Sequence, residues 1–498
     1  MHAQRVHRRC RLWKSTEPLP SFFLAEGALL LRLRSLAITG LVIACSCERV
    51  SLPRQLASTV QTDADGREIV TLSHSPNAIA RGAVQTDTLE PDLTISASKL
   101  GVRSIADIAP LHGGRFAVLD RVDGSVHLFE KNGTRTSVLR GREATPESLL
   151  RWPIGMVNIG QSLVVWGLDS AVAFQILDAS TLHVKATAPR RVRGDWTMLQ
   201  WREPYLGWEP RGQFGPEDGW RRLQAISDTT FALYLQASER DLQQGHAVFD
   251  PAAPPAAILR YTLRGDLLDT VQVLVGAAST ISGEGVSAPI VQPLFMSRPV
   301  WAVGEGWVAY GSGRNDEIEI TRSRDEARPM AIRWPAERSA VSDEDAAAAA
   351  LWSLYYAEAF STTLRERYSR TSRAKRNRLL KRIRSTLPFS EHVPAVSALY
   401  ADGHCLWIAG HAPQDALNGP SQTLVALSTL TGDVVATIRL NGHALRPRRL
   451  NGTGFYASAV SPIGELQILR FPIPRRVRSC GNAHEEAVST ASIGGRQR

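Results

Sequence analysis

A strand-pair unit that recurs six times, a length suited to a ring of repeats and a single stretch of helical texture together predict the fold class. It is all-β: a six-bladed β-propeller with a helical insertion between the fourth and fifth blades. The chain has 498 residues, 43% of them apolar and 21% charged. That composition is ordinary for a folded protein and excludes wholesale disorder. Repetition accounts for the length, because each added blade extends the same core where a single compact core would stop growing.

The unit is a glycine-containing turn, a strand of four to six residues, a polar gap, a second strand and a closing Gly or Asp turn. The first copy is Gly114–Asp120 with Val126–Phe129, and the second is Ser162–Gly167 with Ala173–Asp178. The third, Thr230–Tyr234 with Ile258–Leu263, has its strands widely spaced around a proline-rich stretch at Pro251–Pro255. Gly306–Tyr310 with Ile318–Thr321 makes the fourth, Gly403–Ile408 with Leu424–Leu427 the fifth, and Gly454–Ser458 with Leu466–Leu469 the sixth. No such pair can bury both its faces alone. Stacking six around an axis covers them and leaves short edges, provided the ring closes. Residues 68–97, with Glu68–Leu72 and Leu93–Ser96, precede the first unit and can lend the last blade a strand.

Between the fourth and fifth units, Ser342-Asp343-Glu344-Asp345 has the form of a capping box. Leu351, Leu354, Tyr355 and Ala359 follow at helical spacing. A second amphipathic piece carries Leu379, Leu380, Ile383 and Leu387 and stops at Pro388. The expected organisation is therefore a leader over residues 1–44, a linker over 45–67 and a propeller over 68–474 interrupted by the insertion at 342–387. A disordered tail over 475–498 completes it.

The leader has a secretory layout. Arg32 and Arg34 precede an apolar run from Ser35 to Ala44, which is too short for the ~20 residues of a membrane-spanning helix. Val42-Ile43-Ala44-Cys45 resembles a bacterial lipobox, which implies a diacylated Cys45 as the first mature residue. The following Ser46, where inner-membrane retention is associated with aspartate, favours the outer membrane. The expected location is the bacterial cell envelope, lipid-anchored, at the outer membrane or in the periplasm. Five cysteines without a CxxC pair are too few for a disulfide scaffold or a thiolate zinc site. Cys405, inside an apolar run, reads as a buried core thiol.

The formal charge of +10 invites a nucleic-acid reading, but its distribution excludes a general one. Residues 1–44 carry +5 and residues 365–384 carry +9, which leaves −4 for all the rest. The second segment, with Arg365, Arg373, Lys375, Arg376, Arg378, Lys381, Arg382 and Arg384, offers a contact for anionic head groups or an acidic partner, or else a solvated helix face. A second candidate surface is the aromatic cluster of Trp196, Trp201, Tyr205, Trp208 and Trp220. It is suited to stacking on a glycan or a partner's apolar groups, or to packing on the propeller rim.

Three stretches carry a resemblance to a known family. They are Ile105–Leu111 with Phe116–Asp120, Val126–Phe129 and Gly133; Gly141-Arg142-Glu143 with Trp152-Pro153; and Val393–Val396 with Asp402-Gly403 and Leu406–Ile408. On these the chain resembles exported six-bladed propellers of the NHL and TolB-like kind over roughly residues 90–472, with a departure at Ala144–Ser148, where a glycine-rich turn is expected. In lactonase-like members Glu, Asp, Asn or His side chains enter one end of the axial channel, and oxygen ligands there suit calcium. The resemblance therefore points to Asp107, Asp120, Asn158 and Asp402, which fall near strand ends, although aspartate also caps turns in any propeller. No GxSxG, GxxxxGK[ST], HExxH or dinucleotide fingerprint is present. The expected function is an extracytoplasmic binding or scaffold module with a protein or glycan partner, no nucleic acid and no cofactor unless calcium. The competing expectation is a calcium-dependent hydrolase or lactonase, which should gather three or more Glu, Asp or Asn side chains at one axial mouth.

Overall fold

The computed structural model describes residues 56–140, 153–167, 174–188, 223–236, 255–275, 299–312, 316–322, 328–336, 390–410, 422–442, 445–452, 454–461 and 465–474, with a few shorter stretches and single positions between them. Among the described residues six sheets of four to six strands are arranged as propeller blades, antiparallel except where two outer strands join in parallel. A separate pair is formed by Thr280–Ile281 and Ile290–Val291. The first strands of the sheets are Ile105–Pro110, Pro153–Ile159, Leu223–Ala225, Val300–Gly304, Val396–Asp402 and Arg446–Asn451, and each neighbours the next around a closed ring.

Each strand pair read from the sequence is the middle of one blade, including the widely spaced third pair, now Thr230–Gln236 against Pro255–Thr262. The reason is burial. A middle strand is covered on both faces by the neighbouring blades, so Phe116–Asp120, Val126–Phe129, Cys405–Gly410 and Gly454–Val460 are buried at every position. The blades interlock through rings. Phe116 lies 5.3 Å from Tyr456 across the joint of blades one and six, Phe174 5.0 Å from Phe231 across blades two and three, and Trp407 4.9 Å from Phe455 across blades five and six. Tilted and edge-on contacts of this kind add to the area that each ring buries.

The segment before the first blade straps three others. Glu68–Leu72 runs parallel to Met330–Arg333 on the outside of blade four, and Ser58–Thr62 adds an outermost strand to it. The helix Pro76–Ala80 follows, its Ser75 hydroxyl accepting from Ala78 N at 3.2 Å. It lies so close to blade five that a Cβ at Gly410 would meet Pro76 O at 2.3 Å. Asp87–Leu89 then pairs in parallel with Val434–Leu440 of blade five. Finally Leu93–Ser96 pairs antiparallel with Leu466–Pro472 and supplies the fourth strand of blade six. Ring closure by Leu93–Ser96 is as expected, whereas Glu68–Leu72 serves blade four, and Ser58–Thr62 is a strand where a linker was expected.

Two further expectations are corrected. Cys405 is no free thiol: it forms a disulfide with Cys480, 75 residues on, with Cα atoms 5.5 Å apart. The disordered tail does not hold at Val477 and Cys480, which are buried against blades five and six with Ile473. Cysteine counting missed the bond because a single staple leaves no spacing pattern. At the head of the insertion the capping box is formed, with Ser342 Oγ accepting from Asp345 N at 3.1 Å and donating to the Asp345 carboxylate at 2.6 Å. Arg378 and Lys381 are helical and exposed, and the remainder of 346–389 lies outside the described residues.

Strand direction sorts the connections by face. Turns from first to second strand are short, as at Gly160-Gln161 between Ile159 and Ser162, and they share one face with the turns from third to fourth strand. The strand ends on the opposite face are those joined from second to third strand and from one blade to the next, among them Ala188 and Leu223, and Arg333 and Val396.

Candidate functional site

On the short-turn face the ring encloses a cavity of about 1010 Å³, lined by the ends of the inner strands of all six blades. Among the lining residues is Arg449, delivered by the inner strand of blade six. Its Nη2 donates to the Asp107 carboxylate of blade one and to Met156 O of blade two, both at 2.7 Å, and its Nη1 donates to Leu223 O of blade three. Asp107 also accepts from its neighbour Ile108 N at 2.9 Å and from Met156 N at 3.0 Å. The pair is nearly buried, 11% exposed on the arginine and 6% on the aspartate. Charges so far from water persist only when paired and hydrogen-bonded. Arg449 therefore works as a tie across four blades.

Neighbouring ties complete the frame. Arg448 donates to Ile105 O and Ala106 O, joining blades six and one. Gln224 joins blade three to blade four, accepting from Val303 N at 2.7 Å and donating to Trp301 O at 3.3 Å. Trp307 Nε1 donates to Gly403 O at 3.0 Å between blades four and five, and Tyr400 OH donates to Pro447 O between five and six. A cavity wall cross-linked in this way is preorganised.

On the rim, Arg470 donates to both oxygens of Asp92, at 2.9 and 3.1 Å, and to Lys131 O at 2.9 Å. Lys131, Asn158 and Asp228 also line the cavity. The Asn158 amide oxygen is buried and meets no hydrogen-bond partner among the described residues, and neither does Arg449 Nε.

No family model and no curated protein sequence matches the chain. Solved structures similar to it include a gluconolactonase from Xanthomonas campestris, at 12% identity over 78% of this chain and 99% of that one, with a TM-score of 0.32. A calcium-binding protein, regucalcin, from Agrobacterium tumefaciens is 8% identical over 78% of this chain and 98% of that one, TM-score 0.34. The PQQ-bound aldose sugar dehydrogenase from Streptomyces coelicolor is 12% identical over 84% and 99%, TM-score 0.33. Likeness at this level assigns no activity.

The four residues singled out for metal chemistry do not converge. Asp107 is spent on Arg449. Asp120 sits on the opposite face, where its carboxylate accepts from Arg103 N, Ser104 N and Val122 N; burial pushes it above the ordinary range even so. Asn158 lines the cavity, but Asp402, also raised by burial, lies in the inner turn of blade five without lining it. Among the described residues no three His, Cys, Asp or Glu side chains gather in a metal-holding group. Cys45, Trp196, Trp201, Tyr205, Trp208, Trp220, Arg365, Arg373, Lys375, Arg376, Arg382 and Arg384 lie outside the described residues. Reading the sequence missed Arg449, Gln224, Lys131 and Asp228. A signal for the first existed: Arg446-Pro447-Arg448-Arg449 stands just before the sixth glycine turn, where the inner strand of a blade has to run.

Proposed function

We propose that the protein is an extracytoplasmic binding module, held in the bacterial envelope through a lipid on Cys45, that takes a small polar ligand in its axial cavity. The observation that carries this reading is the cavity itself, walled by six cross-tied inner strands and lined by a guanidinium that ties four blades. Its volume is at the upper end of ordinary small-molecule sites. The competing calcium-dependent hydrolase calls for converging oxygen ligands. Of the carboxylates that line the cavity, Asp92 is spent on Arg470 and Asp228 alone is without a cation among the described residues, which falls short of that set. The Cys405–Cys480 disulfide supports export, since such bonds persist in oxidising compartments.

The opposite face suits a larger partner. The aromatic segment falls within the connection from Ala188 to Leu223 and the basic segment within that from Arg333 to Val396, so both are tethered to this face at each end. A protein, glycan or membrane contact there leaves the cavity mouth free.

Two measurements test the reading. Cys45→Ser should release the protein from the membrane fraction or block its processing, and an unaltered membrane fraction refutes the anchor. Purified protein should bind polar solutes stoichiometrically by calorimetry and show no calcium-dependent turnover of lactones. Such turnover, abolished by a chelator, would replace this reading with the hydrolase.

A further inference from the structure

The charges lining the cavity cancel in pairs, with two exceptions. Arg470 is neutralised by Asp92 through two hydrogen bonds, and Arg449 by Asp107. Lys131 of blade one and Asp228 of blade three line the same cavity, and neither has an ion-pair or side-chain hydrogen-bond partner among the described residues. Between these blades stands blade two, presenting Asn158, whose amide oxygen lacks a donor. Resting on the reading of the cavity as a ligand site, we propose that its ligand is a small zwitterion, a free amino acid or short peptide. Its carboxylate meets Lys131, its ammonium meets Asp228, and its intervening N–H or polar groups lie toward Asn158.

Lys131 is held for this role at both ends of its fixed part. Arg470 Nη1 holds its carbonyl, and its stem lies across Gly114, where a Cβ would meet Lys131 Cγ and Cδ at 3.2 Å. Gly114 also has φ +78°, which favours glycine. Asp228 occupies the inner turn of blade three, which is closed by Ser227 N donating to Thr230 O and by the Ser227 and Thr230 hydroxyls at 2.8 Å. That turn abuts blade two, with Asp228 O 3.8 Å from where a Gly160 Cβ would be. The Arg449 guanidinium is already neutralised by Asp107, so a dianion would find one free cation and a neighbouring carboxylate. A sugar would satisfy neither charge. A zwitterion satisfies both, and charge-assisted hydrogen bonds are the stronger ones.

The experiment is calorimetric titration of the full mature chain with alanyl-alanine, its N-acetyl derivative, its C-terminal amide, glucose and succinate. The free dipeptide should bind, and each blocked form should bind about tenfold more weakly, as the loss of one charged hydrogen bond implies. Lys131→Met should weaken the dipeptide by a similar factor and leave it no better than its amide. Asp228→Asn should do the same with respect to the N-acetyl form. Both residues are exposed on turns, so the variants fold, and equal melting temperatures would verify it. If glucose or succinate binds and the dipeptide does not, or if blocking either end changes nothing, the zwitterion is refuted while the cavity remains a ligand site. If none of the five binds, both readings fall.

Discussion

His127 shows how one side chain links burial to solution behaviour. It lies on a strand buried throughout, with Nε2 2.9 Å from Ser125 Oγ and Nδ1 without a partner among the described residues. Burial, helped by the charge of Arg135 and partly offset by Asp123, lowers its pKa from 6.5 to about 4. The folded protein thus holds a neutral imidazole where the unfolded chain would be protonated. Its contribution is complete above about pH 6.5 and is lost as the pH falls toward about 4, a loss of about 3 kcal/mol. Asp120 and Asp402, raised by burial, act in the opposite sense, since the folded state binds their protons more readily. Denaturant titrations across this window should show stability falling with pH, and His127→Gln should flatten that fall. An unchanged slope in the variant would show that the imidazole is not the group responsible.

Among the elements, the final segment is the one that sequence reading misjudged and the fold uses. Ile473, Val477 and Cys480 pack with Trp407 and Phe455, and the disulfide fastens them to the second strand of blade five. In the chain-entropy treatment, closing a loop of this length removes about 4 kcal/mol of freedom from the unfolded chain. Reduction with dithiothreitol, or Cys405→Ala with Cys480→Ala, should therefore lower the denaturation midpoint markedly while the other blades keep their spectra. No shift on reduction would mean that the bond does not form in the native protein. Most of the elements that were legible are buried on both faces, which writes an uninterrupted apolar run such as Phe116–Leu119 or Cys405–Ile408 into the chain, while Glu317–Arg322 shows instead the alternation of a strand with one buried face. The inner strands of blades three and six carry no such mark. Arg446–Asn451 faces its neighbours with guanidinium groups, and Leu223–Ala225 is three residues long. The candidate site is built from those strands, so its residues stayed hidden while the fold around them could be read.

For the whole molecule the decisive event is closure, and the chain achieves it with a strand that is early in sequence and last in space. Leu93–Ser96 joins blade six with Ile95 opposite Ile468, 9% exposed and packed among Val102, Phe116, Phe129 and Tyr456 at the joint with blade one. The Asn132-Gly133 turn of blade one closes over it, leaving Ile95 Cδ1 2.9 Å from where a Gly133 Cβ would stand. Backbone hydrogen bonds tie the segment to the last strand, from Ala97 N to Leu466 O and from Asp92 N to Arg470 O, both 2.9 Å. The outermost strand Ser58–Thr62 is bonded into blade four by the same chemistry, but it is mostly exposed, Val60 at 46%. In a ring of repeats each blade draws stability from its two neighbours, so failure at the closing joint leaves blades six and one each with a free face, whereas loss of an outer strand leaves every joint intact. The same substitution in the two strands should therefore have unequal results. Ile95→Asp places an unpaired charge in a buried joint and should cost about 3 kcal/mol or more, with faster amide exchange spreading through blades six and one and sparing blade three. Val60→Asp should change stability by no more than about 0.5 kcal/mol and leave exchange altered only at the rim of blade four. Equal effects from the two, or exchange from Ile95→Asp confined to its own strand, would mean that the ring does not depend on this joint to hold its ends together.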